Sequence, residues 1–279
     1  MEKFLREIEH IIIGSRKRLI KGPRGNRKGK GLGLSHDFYG HRIYSPGDDI
    51  RRIDWKAYPR TGSFYIREFT EERQMRVNVI LDCSASMDFG KPNKFELSKL
   101  LSVGLGYITL NQRDILNIYT MDNEVKLLRE NLKSKDSFYG LIDLMASIVP
   151  RGRTSFDSLT HIKGLSGGMT FIISDLFDKD FLNVLDYLSS KEQDIVVIHL
   201  MSPQEIEPDF TGELKLIDKE TGEYRRVLLK EGIKEIYRQK TKAFIENCKK
   251  ACDSRDIKYV FSTSDMQPID IIAKATEVI

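Results

Sequence analysis

Cysteine is scarce in this chain, with three among 279 residues, and there is a single tryptophan. Three cysteines cannot build a disulfide framework and suit a reducing compartment. Cys248 and Cys252 stand four apart on a helical pattern with no paired histidines nearby, so packing is the better reading than half a zinc site. No apolar run approaches the roughly 20 residues of a membrane span. The longest N-terminal apolar cluster, Ile11 to Ile13, follows acidic residues, so no signal peptide is expected and the chain reads as cytoplasmic. There is no G-x-x-x-x-G-K-[ST] phosphate loop, which leaves any ATP hydrolysis to a partner. A G-x-S-x-G elbow is also missing, and His10, His36, His41, His161 and His199 form no catalytic pattern, so serine hydrolase chemistry lacks its base.

Apolar residues make up 40% of the chain, enough for a sizeable core. Charge is unevenly spread. Through Arg76 there are 18 Lys plus Arg against 10 Asp plus Glu, a net of +8, whereas the remainder carries −4. Between Arg16 and Lys30 lie eight basic residues and no acidic one. Such a run can neutralise phosphates on nucleic acid or an anionic membrane. Its interspersed glycines fit a solvated arm at least as well, and no interleaved aromatics offer base stacking.

The most informative stretch is Val77 to Met87, VNVILDCSASM. Its apolar start predicts a central parallel strand buried on both faces. Asp82, Ser84 and Ser86 then fall on the loop at that strand's carboxyl end, where open α/β sheets place ligands. An aspartate and two hydroxyls are hard oxygen donors, suited to Mg²⁺ rather than zinc. Two further donors are expected at the same edge: Thr154 in a polar loop before a helical pattern over Phe156 to Leu165, and Asp175 at the end of a second buried strand. The plain alternative is that these residues cap helices and make turns. Asp178 could cap the following helix with Asp175 only a turn residue, Ser155 could replace Thr154, and Asp88 reads as a solvated loop residue. Cys83 occupies a spacer position and should point away from an ion.

The D-x-S-x-S sequence, followed by a distant Thr and Asp, resembles the metal-ion-dependent adhesion site of von Willebrand factor A domains. The resemblance implies that Asp82, Ser84, Ser86, Thr154 and Asp175 hold one divalent ion, Mg²⁺ with Mn²⁺ or Ca²⁺ as alternatives. In that family a carboxylate from a partner protein fills the ion's open position.

The remaining pattern predicts an α/β fold: a doubly wound, mostly parallel sheet with one antiparallel edge strand, plus a small β-rich lobe. Asn93 with Glu96 signals a helix start, and Leu97, Leu100, Leu101, Leu105 and Ile108 trace its face. Strands are expected at Ile115 to Thr120, Glu124 to Leu128, Met169 to Ser174, Ile195 to Leu200 and Lys258 to Phe261. Helices are expected through Phe138 to Ile148 and near Asp178 to Ser189, Glu231 to Ser254 and Pro268 to Val278. Two domains follow: residues 1–75 as basic arm and β-rich lobe, and residues 76–279 as the von Willebrand factor A-like domain. A β-hairpin insertion is expected near 202–229, turning at Glu220-Thr221-Gly222.

Before that strand stands HRIYSPGDDIRRIDW, where Arg42, Tyr44, Gly47, Asp48, Asp49, Arg51, Ile53, Asp54 and Trp55 form a composite pattern. It resembles the bacterial domain-of-unknown-function family 58, and the resemblance runs on through DKETGEYRRV. It implies association with a MoxR-type AAA+ ATPase and an adaptor role in assembling, activating or remodelling client proteins, with a client offering an acidic side chain to the metal. Read from the residues alone, the segment is a salt-bridged β-rich lobe packed against the sheet with Trp55 as apolar anchor; arginine pairing can satisfy Asp48, Asp49 and Asp54 without a second metal. The expected function is a non-enzymatic, metal-dependent interaction module. The alternatives are a nucleic-acid or membrane adaptor working through the basic arm and, further off, a metal-dependent phosphoesterase.

Overall fold

The computed structural model describes residues 1–14, 27–29, 38–69, 71–162, 165, 168–191, 193–209, 212–229 and 231–277. They fall into two compact units, Leu19–Met75 and the combination of Met1–Arg18 with Arg76–Ile279. The first helix, α1 (Glu2–Ile8), therefore belongs with the larger unit and not with the lobe expected over residues 1–75. Apart from Arg27–Gly29, the basic run from Arg16 to Lys30 lies outside the described residues.

The smaller unit is built from β1 (Arg27–Gly29), β2 (Phe38–Ile43), the short α2 (Tyr58–Thr61), β3 (Tyr65–Phe69) and β4 (Glu71–Arg73). β1 pairs with β4 and β2 with β3, both antiparallel. The charged motif forms its connecting loop. Arg42 forks onto both carboxylate oxygens of Asp48 at 2.6 and 2.5 Å, and the Ser45 amide donates to the same group at 2.8 Å. Asp49 caps a short 3-10 turn by accepting from the Arg51 amide, and Asp54 bonds His41 at 2.6 Å. Every carboxylate of the motif thus has a protein partner, which is how such groups are satisfied without a metal. Trp55 does not anchor the lobe. It is 62% exposed and meets Phe64 edge-on at 6.0 Å, while Ile53 and Ile66 are the buried, bridged pair.

In the larger unit, β5 (Arg76–Asp82), α3 (Lys94–Asn111), β6 (Ile115–Met121), β7 (Val125–Leu132), α4 (Asp136–Ser147), β8 (Met169–Ser174), α5 (Phe181–Ser189) and β9 (Asp194–Met201) follow in order. After α6 (Pro203–Ile206) comes a hairpin of β10 (Gly212–Ile217) and β11 (Tyr224–Leu229), then α7 (Glu231–Asp253), β12 (Lys258–Thr263) and α8 (Pro268–Thr276). The six-stranded sheet runs β12-β9-β8-β5-β6-β7, parallel except for β7 at one edge. That is the mostly parallel α/β architecture with one antiparallel edge strand that the sequence predicts.

Strand alternation divides the sheet's apolar residues between two faces. Ile80, Tyr119, Ile172 and Val197 join Phe156, Phe181, Leu185 and both helical cysteines, Cys248 and Cys252, in one buried cluster. On α3 two glycines permit close approach: a Cβ at Gly104 would meet Ile272 of α8 and Phe4 of α1, and one at Gly106 would meet Leu141 of α4 and Leu116 of β6. Its buried Ser98, Ser102 and Thr109 return their hydroxyls to carbonyls of the preceding turn, so none is left unsatisfied.

Among the described residues of the helical pattern expected over Phe156 to Leu165, only a 3-10 helix, Asp157–His161, forms. The hairpin forms as expected, pairing among the described residues only with itself and turning through Asp218–Glu223.

Candidate metal centre

The sheet order reverses at β5, whose neighbours β6 and β8 leave it in opposite directions along the sheet. The loops after β5 and β8 consequently diverge and leave a crevice at the carboxyl edge. Asp82, the last residue of β5, stands there, fully buried like Ser84, Ser174 and Asp175.

The five expected residues come together. Asp82 Oδ1 accepts from the Ser84 amide at 2.9 Å, and Oδ2 accepts from Thr154 Oγ1 at 3.1 Å and Ser174 Oγ at 2.5 Å. Ser84 Oγ lies 3.0 Å from Ser86 Oγ, which donates to Asp175 Oδ2 at 2.8 Å. One hydrogen-bonded chain therefore joins Ser84, Ser86 and Asp175, and a second joins Thr154, Ser174 and Asp82.

The loop bearing Thr154 is seated by backbone bonds on both sides. The Arg151 amide donates to Cys83 O at 2.7 Å, and the Ala85 amide donates to Gly152 O at 3.1 Å. Gly152 has φ of +71°, and a Cβ there would come within 2.8 Å of Asn123. Asp178 completes the seat by accepting from the Phe156 amide at 2.7 Å. It ties two site loops together and does not cap α5, whose N-cap is Asp180. The Cys83 thiol turns back toward Leu81 O at 3.5 Å, and burial pushes its pKa up.

The electrostatics are those of an under-compensated anionic site. Burial first, and the Asp175 charge second, push Asp82 up to about 7. Its partners are hydroxyls and an amide, which offset only part of the cost of burying a carboxylate. Asp175 has a cation that the sequence reading missed. Lys94 is fully buried and donates to Asp175 Oδ2 at 2.8 Å and to Glu205 Oε1 at 2.6 Å. Burial pulls the Lys94 pKa down, but the two carboxylates outweigh it and the net shift is upward. Glu205 is itself fixed by a capping box with Ser202 at the start of α6. A signal for Lys94 was present: it is the first residue of α3, where the helix dipole disfavours a cation.

The hairpin reaches the site as well. Lys219 donates to the Asp88 carbonyl and pairs with its carboxylate at 2.9 Å, so Asp88, a solvent-exposed loop residue as expected, also tethers the hairpin. Next to it, Glu220 lies against the Thr154 backbone and the Ser86 hydroxyl, and burial raises its pKa.

Among the described residues, no three or more His, Cys, Asp or Glu side chains are grouped to hold a metal. An ion here would draw on hydroxyls, and the donor set fits that demand. Asp82, Asp175, Ser84, Ser86 and Thr154 offer only oxygens, as Mg²⁺ requires. A buried, half-compensated carboxylate is the feature a bound cation would relieve.

Fold and site together define an α/β protein with a mostly parallel sheet and a carboxylate and hydroxyl cluster at that sheet's carboxyl edge. The chain belongs to the family described as protein of unknown function DUF58, whose model matches residues 40–246. An uncharacterized protein of Mycobacterium tuberculosis is 23% identical over 229 residues, covering 78% of this chain and 68% of that protein. Among solved structures, the conserved hypothetical protein BatB from Bacteroides thetaiotaomicron is similar with a TM-score of 0.47 at 15% identity, over 72% of this chain and 96% of that one. Proximal thread matrix protein 1 from the mussel byssus, described with a zinc-occupied MIDAS motif, is similar with a TM-score of 0.36 at 16% identity, over 46% and 38% of the two chains. Among the described residues, no helix is long and apolar enough to cross a membrane.

Proposed function

We propose that this chain is a non-enzymatic, metal-dependent protein interaction module. Asp82, Ser84, Ser86, Thr154 and Asp175 would hold Mg²⁺, with Mn²⁺ or Ca²⁺ as substitutes. Bound there, the ion supplies a hard positive charge that attracts an acidic side chain of a client. The observation that carries this reading is the meeting of the five residues in two linked hydrogen-bond chains at the switch point of the sheet. The protein's own groups do the positioning: Ser174 and Thr154 orient Asp82, Lys94 fixes Asp175, and Asp178 holds the Thr154 loop in place.

A MoxR-type AAA+ ATPase is the partner we propose, on the strength of the resemblance carried by the Arg42 to Trp55 motif. Such a partner would supply the nucleotide hydrolysis for which this sequence has no phosphate loop. The reading places the module in the cytoplasm, where its three free thiols remain reduced.

The test is affinity capture from native lysate with wild type and Asp82→Ala, each with Mg²⁺ and with chelator. Recovery of an ATPase or client by wild type in Mg²⁺ alone is expected. Partners indifferent to both the substitution and the chelator would sink the reading and move attention to the basic arm.

A further inference from the structure

The hairpin turn occupies a place the proposed function has not used. Its residues 218–223 come back across the loop that carries Ser86. Lys219 is pinned by two bonds to Asp88, two residues beyond Ser86. Asp218 shapes the turn by accepting from the Glu220 and Thr221 amides at 2.8 and 3.1 Å. Next to the Lys219 tether sits Glu220, against the Ser86 hydroxyl and the Thr154 backbone. Its Oε1 is shut off from solvent and has no hydrogen-bond partner. A turn residue of a solvent-facing hairpin has no folding reason to bury a carboxylate oxygen unpaired, since an exposed rotamer would hydrate it.

Charge makes the placement more pointed. Asp175 and Asp218 set like charge around Glu220. The fully buried ammonium of Lys94 is committed to Asp175 and Glu205. A group held beside like charge with an orphaned oxygen lacks a cation. The five ligand residues leave room for one, because Mg²⁺ takes six oxygens and rarely obtains all of them from dedicated protein groups.

We propose that Glu220 is a further ligand-side residue of the metal centre, supplied in cis by the hairpin turn, so that the resting protein closes its own site. An acidic client then binds by displacing Glu220, and the strength of the latch sets the affinity for that client. This inference rests on the metal-dependent reading above.

The test uses the full chain as wild type, Glu220→Gln and Asp82→Ala, with Mn²⁺ as the probe. Electron paramagnetic resonance titration gives ion affinity, and hydrogen exchange reports the amides of residues 218–223 with and without the ion. Expected are Mn²⁺ binding by wild type, slower exchange of the turn when the ion is present, and loss of that slowing in Glu220→Gln. Glu220→Gln should also weaken Mn²⁺ binding by roughly tenfold, the scale on which supporting groups tune metal affinity. Binding and turn exchange that are identical in wild type and Glu220→Gln would overturn the latch while leaving the metal reading intact. If wild type binds no more Mn²⁺ than Asp82→Ala, the metal reading falls and the latch with it.

Discussion

Two regions of this molecule concentrate aspartates, and they treat them in opposite ways. In the smaller unit, Asp48 lies at the surface between the Arg42 fork and the Ser45 amide, and those bonds hold its pKa down at about 2. At the sheet edge, Asp82 is fully buried, has only hydroxyls and an amide as partners, and is pushed up to about 7 by burial and by Asp175. The first arrangement is complete by itself. The second is poised for a positive charge it does not contain, and this separates a structural acidic cluster from a candidate binding centre more clearly than any count of carboxylates.

The strongest way to break the contrast is to remove the one cation the site does own. Lys94→Met should cost about 3–5 kcal/mol in urea unfolding under chelator, because it strands Asp175 and Glu205 without their buried partner. Part of that loss should return when Mg²⁺ is added. A cost unchanged by Mg²⁺ would mean that no ion reaches Asp175.

A smaller effect is expected at Ser174, which donates to Asp82 and accepts from the Leu176 amide at 2.9 Å. Ser174→Ala leaves both groups short of a partner and should cost about 1–3 kcal/mol. It should also weaken ion binding, since Asp82 loses one of its two hydroxyl supports. Calorimetric unfolding with and without Mg²⁺ checks both statements.

The smallest effect belongs to the surface pair. A carboxylate whose folded pKa lies below its unfolded value contributes stability above the unfolded pKa, near 3.8, and loses it as pH falls through about 2. Between pH 5 and 8, Arg42→Ala should lower the thermal midpoint modestly, because the pair lies near the surface and is only partly buried. Whatever difference the pair makes should close in strong acid, where the wild type loses the contribution that the variant never had. A large loss at neutral pH would show that the pair is structural in a way its exposure does not suggest.

Most of the sheet was legible because buried parallel strands write themselves as apolar runs. Met169 to Ser174 matches its predicted bounds, and β5, β6, β9 and β12 differ by a residue or two at their ends. The five candidate ligands were legible too, since strand ends and loop order place them at one edge. The rest depends on tertiary contact. Nothing local distinguishes Asp178 as a helix cap from Asp178 as a bond to Phe156, or says that the exposed Asp88 also meets Lys219. Trp55 misled because a large aromatic beside charged residues suggests an anchor, whereas here the small pair Ile53 and Ile66 takes the buried place. Glu220 was visible only as a turn residue, because a hairpin's sequence does not say where its tip lands.

Asn78, buried in β5, carries a last consequence. Its amide donates to Thr170 on β8 at 3.0 Å and accepts from Asn117 on β6 at 2.9 Å, while Thr170 passes its own hydrogen on to Gln193 at 2.7 Å. Asn78 stands opposite Thr170, so four residues later the same alignment sets Asp82 opposite Ser174. Polar bonds in the interior act here as a datum from which the heights of the strands are measured. If β8 slid one residue against β5, every member of the line would lose its partner at once and Ser174 would pass out of reach of Asp82. The level of the centre is thus set in the depth of the sheet, well below the loops that supply its chemistry.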